Sequence, residues 1–167
     1  MARPAVTPLA VERPFAAHEL FFSTTDRKGI IRSGNQIFVR VSAYPLETLL
    51  GTPHNLIRHP DMPQAEFKLL WDTLAAEQEI FAYVVNLASD GAHYWVFAHV
   101  TPTYNRAGQV TGYHSNRRAP DQRAIDAVVP LYAQMLAAER RHSSAREGMA
   151  ASAALLGDFL AEKQLTY

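Results

Sequence analysis

Arg58, His59 and Asp61 fall within four residues, framed by Pro60 and Pro63 in the run Asn55-Leu-Ile-Arg-His-Pro-Asp-Met-Pro63. A permanently charged guanidinium, an imidazole and a carboxylate therefore sit on backbone that is restricted at both prolines and at the residues before them. Such a stiff connection can hold polar groups against a ligand at little ordering cost. The same residues also suit a surface loop on which Arg58 simply pairs with Asp61. Asn86 is a second polar candidate, an amide on an otherwise apolar stretch that can both donate and accept. A plain hydrogen-bond partner within a core gives the same pattern. Trp71, Phe81, Tyr94 and Tyr113 are the aromatic candidates for the walls of a dry slot, with core packing as the other use of each.

Other chemistries have little support, and the chain is read as a non-enzyme. No serine, histidine or aspartate lies in a nucleophile elbow, and no carboxylates are paired for acid–base work. No Gly-x-Gly-x-x-Gly follows a strand. The chain has no cysteine, which removes disulfides, thiolate metal sites and a cysteine nucleophile. His54 and His59 lack the close ligand spacing of a zinc site, so no metal is expected. Basic and acidic residues balance at 16 each and no basic run is long, which argues against a nucleic-acid partner.

The elements that must position these residues follow from the patterning. Almost half of the 167 residues are hydrophobic, enough for one domain with a real core plus extensions. Residues 1–19 carry Pro4, Pro8 and Pro14 and read as an arm, which Phe15 and Leu20 can tack onto the domain. Leu20–Thr25 and Gly29–Ser33 form a hairpin across the turn Asp26-Arg-Lys-Gly29. Asn35 is placed as the N-cap of a helix with Ile37, Phe38 and Val41 on one face. Short helical turns follow over 44–51, stopped by Gly51, and around 52–57. Gln64–Glu77 has no internal glycine or proline, and Phe67, Leu70, Trp71 and Leu74 share one face, which predicts the longest helix of the domain.

Three strands come next: Ile80–Ala88, Ala92–Tyr104 and Gln109–Arg118, joined at Asp90-Gly91 and Asn105-Arg-Ala-Gly108. Tyr94, Val96, Ala98 and Val100 alternate with His93, Trp95, Phe97 and His99, and Tyr113, Ser115 and Arg117 share a face of the last strand. Beyond Pro120 two amphipathic stretches follow. Pro130 is expected to kink or divide the first, and Met149, Ala153, Leu156 and Leu160 form the seam of the second. Such stripes need a partner, which can be the sheet, a second copy or a neighbour. The expected class is α+β, with a five-stranded antiparallel sheet, short helices and one long helix on one face. The expected divisions are 1–19, 20–119 and 120–167. No apolar run is long enough for a membrane span, and the start lacks a signal peptide's apolar centre, so a cytoplasmic protein is the expectation.

This order of elements is the PAS layout, and the words are closer than the layout. Phe22-Ser-Thr-Thr-Asp26, Asn35 with Phe38-Val39, Val41-Ser-Ala-Tyr44, Leu49-Leu-Gly51, Pro53-His-Asn55, Arg58-His-Pro-Asp-Met-Pro63, Trp71 with Thr73-Leu74, Asp90-Gly91, His93-Tyr-Trp-Val96 and Gly112-Tyr113 with Ser115 together resemble the sensory PAS domain of bacterial aerotaxis receptors. The Arg-His-Pro-Asp-Met-Pro word is the specific part. The resemblance covers about residues 20–120 and implies FAD bound non-covalently, a redox or oxygen signal, and output to a chemotaxis protein. A related subgroup carries heme. The sequence departs from those receptors after the domain, where no membrane segment or long methylated coiled-coil hairpin follows; a fragment or a free-standing PAS protein is expected. It departs also on the strand before Asp90, where the family's basic Lys-Asn-Arg-Arg is Val85-Asn86-Leu87-Ala88 here.

Under this resemblance Trp71, Phe81, Tyr94 and Tyr113 wall a flavin slot and Asn86 senses protonation at a flavin nitrogen. Arg58 is the candidate for a phosphate or ribityl contact. His59 and Asp61 shape the loop first and contact ligand second. The alternatives are a heme sensor, with His54, His59, His93, His99 or His114 as axial ligand, and a cofactor-free module that dimerises or docks on a partner. A homodimer and a chemotaxis or other signalling protein are the expected partners.

Overall fold

A strand at the edge of a sheet exposes a row of unpaired N–H and C=O groups that must be covered. In this protein one of the two edge strands is Ile80–Leu87, and what covers it is the proline-bounded loop. A computed structural model describes residues 6–164. The elements are β1 (Phe21–Asp26), β2 (Ile31–Gly34), α1 (Gln36–Ser42), α2 (Leu46–Leu49), a 3-10 turn (His54–Ile57), α3 (Gln64–Ala75), β3 (Ile80–Leu87), β4 (His93–Tyr104), β5 (Val110–Arg118), α4 (Gln122–Arg141) and α5 (Ala145–Glu162). The five strands lie in the order β2-β1-β5-β4-β3 and every neighbour is antiparallel. The α+β class, the sheet and the three-stranded meander are as the patterning predicts.

Register fixes which side chains face inward. Val84 pairs with Val96, Ala98 with Arg117 and Phe21 with Arg117, so Asn86, Tyr94, Val100, Tyr113, Ser115 and Ser23 share the inner face. At one end Phe21, Phe38 and Tyr94 are fully buried, with Phe21 and Phe38 stacked at 6.0 Å. Asn35 builds this corner. Its Oδ1 accepts from the Phe38 amide at 3.2 Å and its Nδ2 donates to the Leu20 carbonyl at 3.1 Å, which ties the start of α1 to β1. The hairpin turn is closed by Asp26, whose Oδ1 accepts from the amides of Lys28 and Ile30. Gly29 holds φ at 75°, and its carbonyl accepts from the His54 amide at 2.8 Å. The hairpin thereby sets the position of His54.

The free edge of β3 is closed by three contacts. The Val85 amide donates to Met62 Sδ at 3.4 Å, Asn86 forms an isolated bridge with Arg58, and the Tyr83 carbonyl accepts from Tyr132 Oη at 2.8 Å. The first two come from the loop and the third from α4. The arm covers the β3–β4 turn. Leu9 and Arg13 donate backbone hydrogen bonds to Gly91 and His93, and Phe15 meets Phe21 edge-on at 5.3 Å. Leu20 stays exposed and does not help to tack it down. Expectations for residues 1–5 lie outside the described residues.

The C-terminal helices refine the sequence expectation at Pro130 and along α5. Pro130 does not divide α4, which is one 20-residue helix. Pro130 and Asp126 both lie on the exposed side, where the carbonyl that loses its donor is open to water. In α5 the buried positions are Gly148, Ser152 and Leu156; of the expected seam Leu156 is buried, Met149 and Leu160 are half-buried and Ala153 is exposed. Close approach decides this: a β-carbon at Gly148 would lie 2.8 Å from the Glu139 carbonyl oxygen of α4. The helical stripes are met within the chain, by each other and by α3.

Glu139 also reaches α3. Pro63 gives that helix no side-chain cap. The Glu139 carboxylate takes its place, accepting from the amides of Gln64 and Ala65 at 3.0 Å each. Glu139→Ala is expected to lower stability by about 1 kcal/mol, the usual cost of a lost helix cap, read as a lower urea midpoint at unchanged slope. An unchanged midpoint would show that the cap contributes nothing.

Candidate functional site

Between α3 and the inner face of the sheet lies a cavity of about 400 Å³, within the general range of small-molecule sites. Phe67, Leu70, Trp71 and Leu74 of α3 form one wall. Val84 and Asn86 of β3, Ala98 and Val100 of β4, and Tyr113, Ser115 and Arg117 of β5 form the other. His54, Asn55 and Arg58 close one side, and Lys28 and Gly29 lie at the hairpin. The apolar face predicted for α3 therefore faces a hollow as well as the core.

Of the residues singled out from the sequence, Arg58, Trp71, Asn86 and Tyr113 meet at this cavity. The Arg58 guanidinium lies 4.0 Å from the centre of the Phe67 ring and donates to the Met62 carbonyl at 3.2 Å. It is held by the loop it belongs to and by the cavity wall at once. Trp71 is 41% exposed and sits over the hairpin. Its ring meets Tyr113 edge-on at 5.7 Å, and a β-carbon at Gly29 would lie 3.1 Å from it. Asn86 is buried beside the Arg58 bridge.

The other four lie elsewhere. His59 is buried and its Nδ1 accepts from the Asp61 amide at 3.1 Å, while Asp61 is exposed, so this pair shapes the loop. His59 also lines a second, more polar cavity between the loop and α4, which shares Asn55 and Arg58 with the first. Phe81 is on the outer face of the sheet, 47% exposed and stacked on His99 at 4.1 Å. Tyr94 is on the inner face but behind the cavity, packed against Phe21. Its hydroxyl has no hydrogen-bond partner among the described residues, and burial pushes its ionisation up.

Sequence reasoning did not single out Arg117, the most deeply buried cation of the cavity wall. Arg117 is 4% exposed. Its Nη2 donates to His54 Nε2 at 2.6 Å and to Ser23 Oγ at 3.0 Å. Alternation on β5 already put Arg117 on the face of Tyr113 and Ser115, which was the available signal. His54 was weighed only as a metal or heme ligand, and nothing local marks it as a partner for Arg117. Burial pulls the Arg117 guanidinium down to about 10, so it stays charged at neutral pH. His54 is held well below the ordinary histidine value, first by burial and then by the Arg117 charge. Its ring stacks on Phe38 at 6.0 Å, and the residue as a whole is partly exposed. An Nε2 that accepts from a guanidinium belongs to a neutral ring protonated on Nδ1. Among the described residues no group of three metal-binding side chains occurs.

An antiparallel sheet folded over a hollow, with short helices on one side and one longer helix as a wall, defines an α+β domain built around a cavity. The family profile described as the PAS fold matches residues 32–117, and the chain belongs to that family. It is similar to the aerotaxis receptor of Escherichia coli strain K12, with 40% identity over 144 residues, 86% of this chain and 28% of the receptor. It is also similar to the nitrogen fixation regulatory protein of Klebsiella pneumoniae, at 30% identity over 58% of this chain and 19% of that one. The chain thus spans less than a third of either relative. Among solved structures, the light state of the blue-light photoreceptor Aureochrome1 LOV superposes with a TM-score of 0.60 at 16% identity, over 65% of this chain and 88% of that one. An RNA-binding Light-Oxygen-Voltage receptor gives 0.59 at 21% identity over 75% of this chain and 36% of that one. These two establish the fold. Within that family the chain is similar to part of the aerotaxis receptor.

The His54–Arg117 pair carries a pH dependence whose sign is fixed. Because the folded value of His54 lies below its ordinary one, the unfolded chain takes up the proton first as pH falls. The associated stability is complete above the ordinary histidine range. It is lost as pH falls from there toward the depressed value, by up to about 1.4 kcal/mol per unit. Between about pH 7.5 and 5.5 the urea midpoint should fall more steeply for the natural chain than for His54→Gln, which keeps an acceptor for Arg117. Equal slopes would refute the assignment.

Proposed function

We propose that this domain binds FAD non-covalently in the cavity between α3 and the sheet and reports redox state or oxygen to a signalling partner. The observation that carries this is the cavity itself, with Trp71 and Tyr113 as aromatic walls, Asn86 buried on its floor and the guanidiniums of Arg58 and Arg117 on its border. That set fits a flavin: flat apolar walls for the ring, an amide for its polar edge, and cations for anionic oxygens. Similarity to the aerotaxis receptor supports the same assignment. A bound flavin would supply reversible electron transfer. Heme is less well supported, because the histidine that lines the cavity presents its Nε2 to a guanidinium at 2.6 Å.

The chain's own part is to hold the ring, exclude water and transmit a change of contacts. Trp71 and Phe67 lie on α3, the helix whose first turn is completed by Glu139 of α4. A ligand state that shifts α3 alters that attachment, and only such a difference in contacts can move the equilibrium of the C-terminal helices. On this reading 20–119 is the sensing unit, and 1–19 and 120–167 carry the output. Exposed Leu9, Val11 and Val129 offer surfaces for a second copy or a chemotaxis-type partner in the cytoplasm.

Purified protein should be yellow, and dithionite should bleach it. Trp71→Ala and Asn86→Ala should each weaken FAD binding at least tenfold, about 1.4 kcal/mol, measured by quenching of flavin fluorescence. A colourless protein that takes up no added FAD would defeat the flavin assignment, and a Soret band would replace it with heme.

A further inference from the structure

Arg117 is a buried cation with no anion beside it among the described residues. Among the described residues none of the ion pairs involves it. Among those residues its Nη2 meets only neutral acceptors, His54 Nε2 and Ser23 Oγ, and its Nη1 is buried with no hydrogen-bond acceptor. The rings of Phe21 and Phe38 lie 5.4 Å from its Cζ, an attraction that does not replace a counter-charge. Two residues along the same face of β5, Ser115 also lines the cavity, and its buried hydroxyl has no partner. Burying a charge in this way costs free energy unless a counter-charge and full hydrogen bonding compensate it. Two unsatisfied buried groups on one wall of a cavity, one of them a permanent cation, ask for the same kind of atom.

We propose that Arg117, with Ser115 beside it and His54 and Ser23 behind it, is a subsite for a negatively charged oxygen of the ligand that occupies the cavity. This rests on the cavity being a binding site and adds the charge of what that wall receives. His54 positions the guanidinium: as a neutral acceptor it holds Nη2 and leaves Nη1 for the ligand. The oxygen has two possible sources in a flavin dinucleotide, the diphosphate and the electron-rich edge of the ring, and both present the same chemistry to Arg117.

The test compares the full chain with Arg117→Met and Arg117→Lys by titration with FAD and with riboflavin, which lacks phosphate. Ligand-free Arg117→Met is expected to match or exceed the natural chain in urea midpoint, because an apolar side chain replaces an uncompensated charge. Its affinity for FAD should fall at least tenfold, whereas Arg117→Lys keeps the charge and most of the affinity. Loss for FAD but not riboflavin assigns the oxygen to phosphate, and loss for both assigns it to the ring. Folded Arg117→Met that binds both flavins within twofold of the natural chain overturns the subsite. So does Arg117→Lys losing as much affinity as Arg117→Met. If the natural chain takes up neither flavin, the flavin reading fails by itself. Inorganic diphosphate then decides the subsite: it should raise the melting temperature of the natural chain but not of Arg117→Met at equal ionic strength, and no difference between them overturns the proposal.

Discussion

The cavity exists because an edge strand had to be closed. β3 carries the cavity's only buried amide side chain among the described residues, Asn86, and its outer backbone groups are closed by Met62, Arg58 and Tyr132. Water could satisfy those groups too, but then the loop would be free to move. By spending its own main chain and a methionine sulfur on the edge, the loop fixes Arg58 over Phe67 and next to Asn86. The same strand edge positions α4, and through α4 the carboxylate that completes α3. One backbone requirement thus places a wall, a floor and a rim.

Much of the fold was legible because its determinants are local. Asn35 three residues before Phe38, glycines at the turns, the uninterrupted run from Gln64, and strict alternation along β4 and β5 each act over one helical turn or one pleat. From the same alternation Asn86, Tyr113 and Arg117 could be put on one side of the sheet. What local pattern could not supply was which inward residues would meet empty space. Tyr94 alternates as correctly as Tyr113, yet it packs into the Phe21–Phe38 corner while Tyr113 faces the hollow. Phe81 has the composition of a cavity wall and the wrong parity, and it stacks on His99 outside. In α5 the buried line runs through Gly148 and Ser152 to Leu156 and leaves Ala153 outside, because a glycine, which adds nothing to an apolar stripe, governs how near two helices can come.

The charge of the cavity was the least legible feature, because it depends on partners far apart in sequence. His54 and Arg117 are 63 residues apart and Ser23 and Arg117 are 94 apart. Three neighbouring strands and a short turn, the latter anchored by the Gly29 carbonyl, must be assembled before these groups touch. Arg58 drew notice for its proline-bounded setting, yet it is tied to Met62 and Phe67, whereas Arg117 is the guanidinium left electrostatically incomplete.

The carboxylate of Glu139 lies about 75 positions downstream of the helix start it completes. A chain trimmed where the last strand ends, at Arg118, would keep every strand and every residue that lines the hollow, yet lose the group that finishes the first turn of its helical wall. The smallest piece that retains an intact container therefore extends past the family's own span of 32–117, to α4 and to the glycine of α5 that lets the two helices nest. The sheet domain and the C-terminal helices share a helix terminus, and a cut made between them by sequence similarity would divide one mechanical object into two incomplete ones.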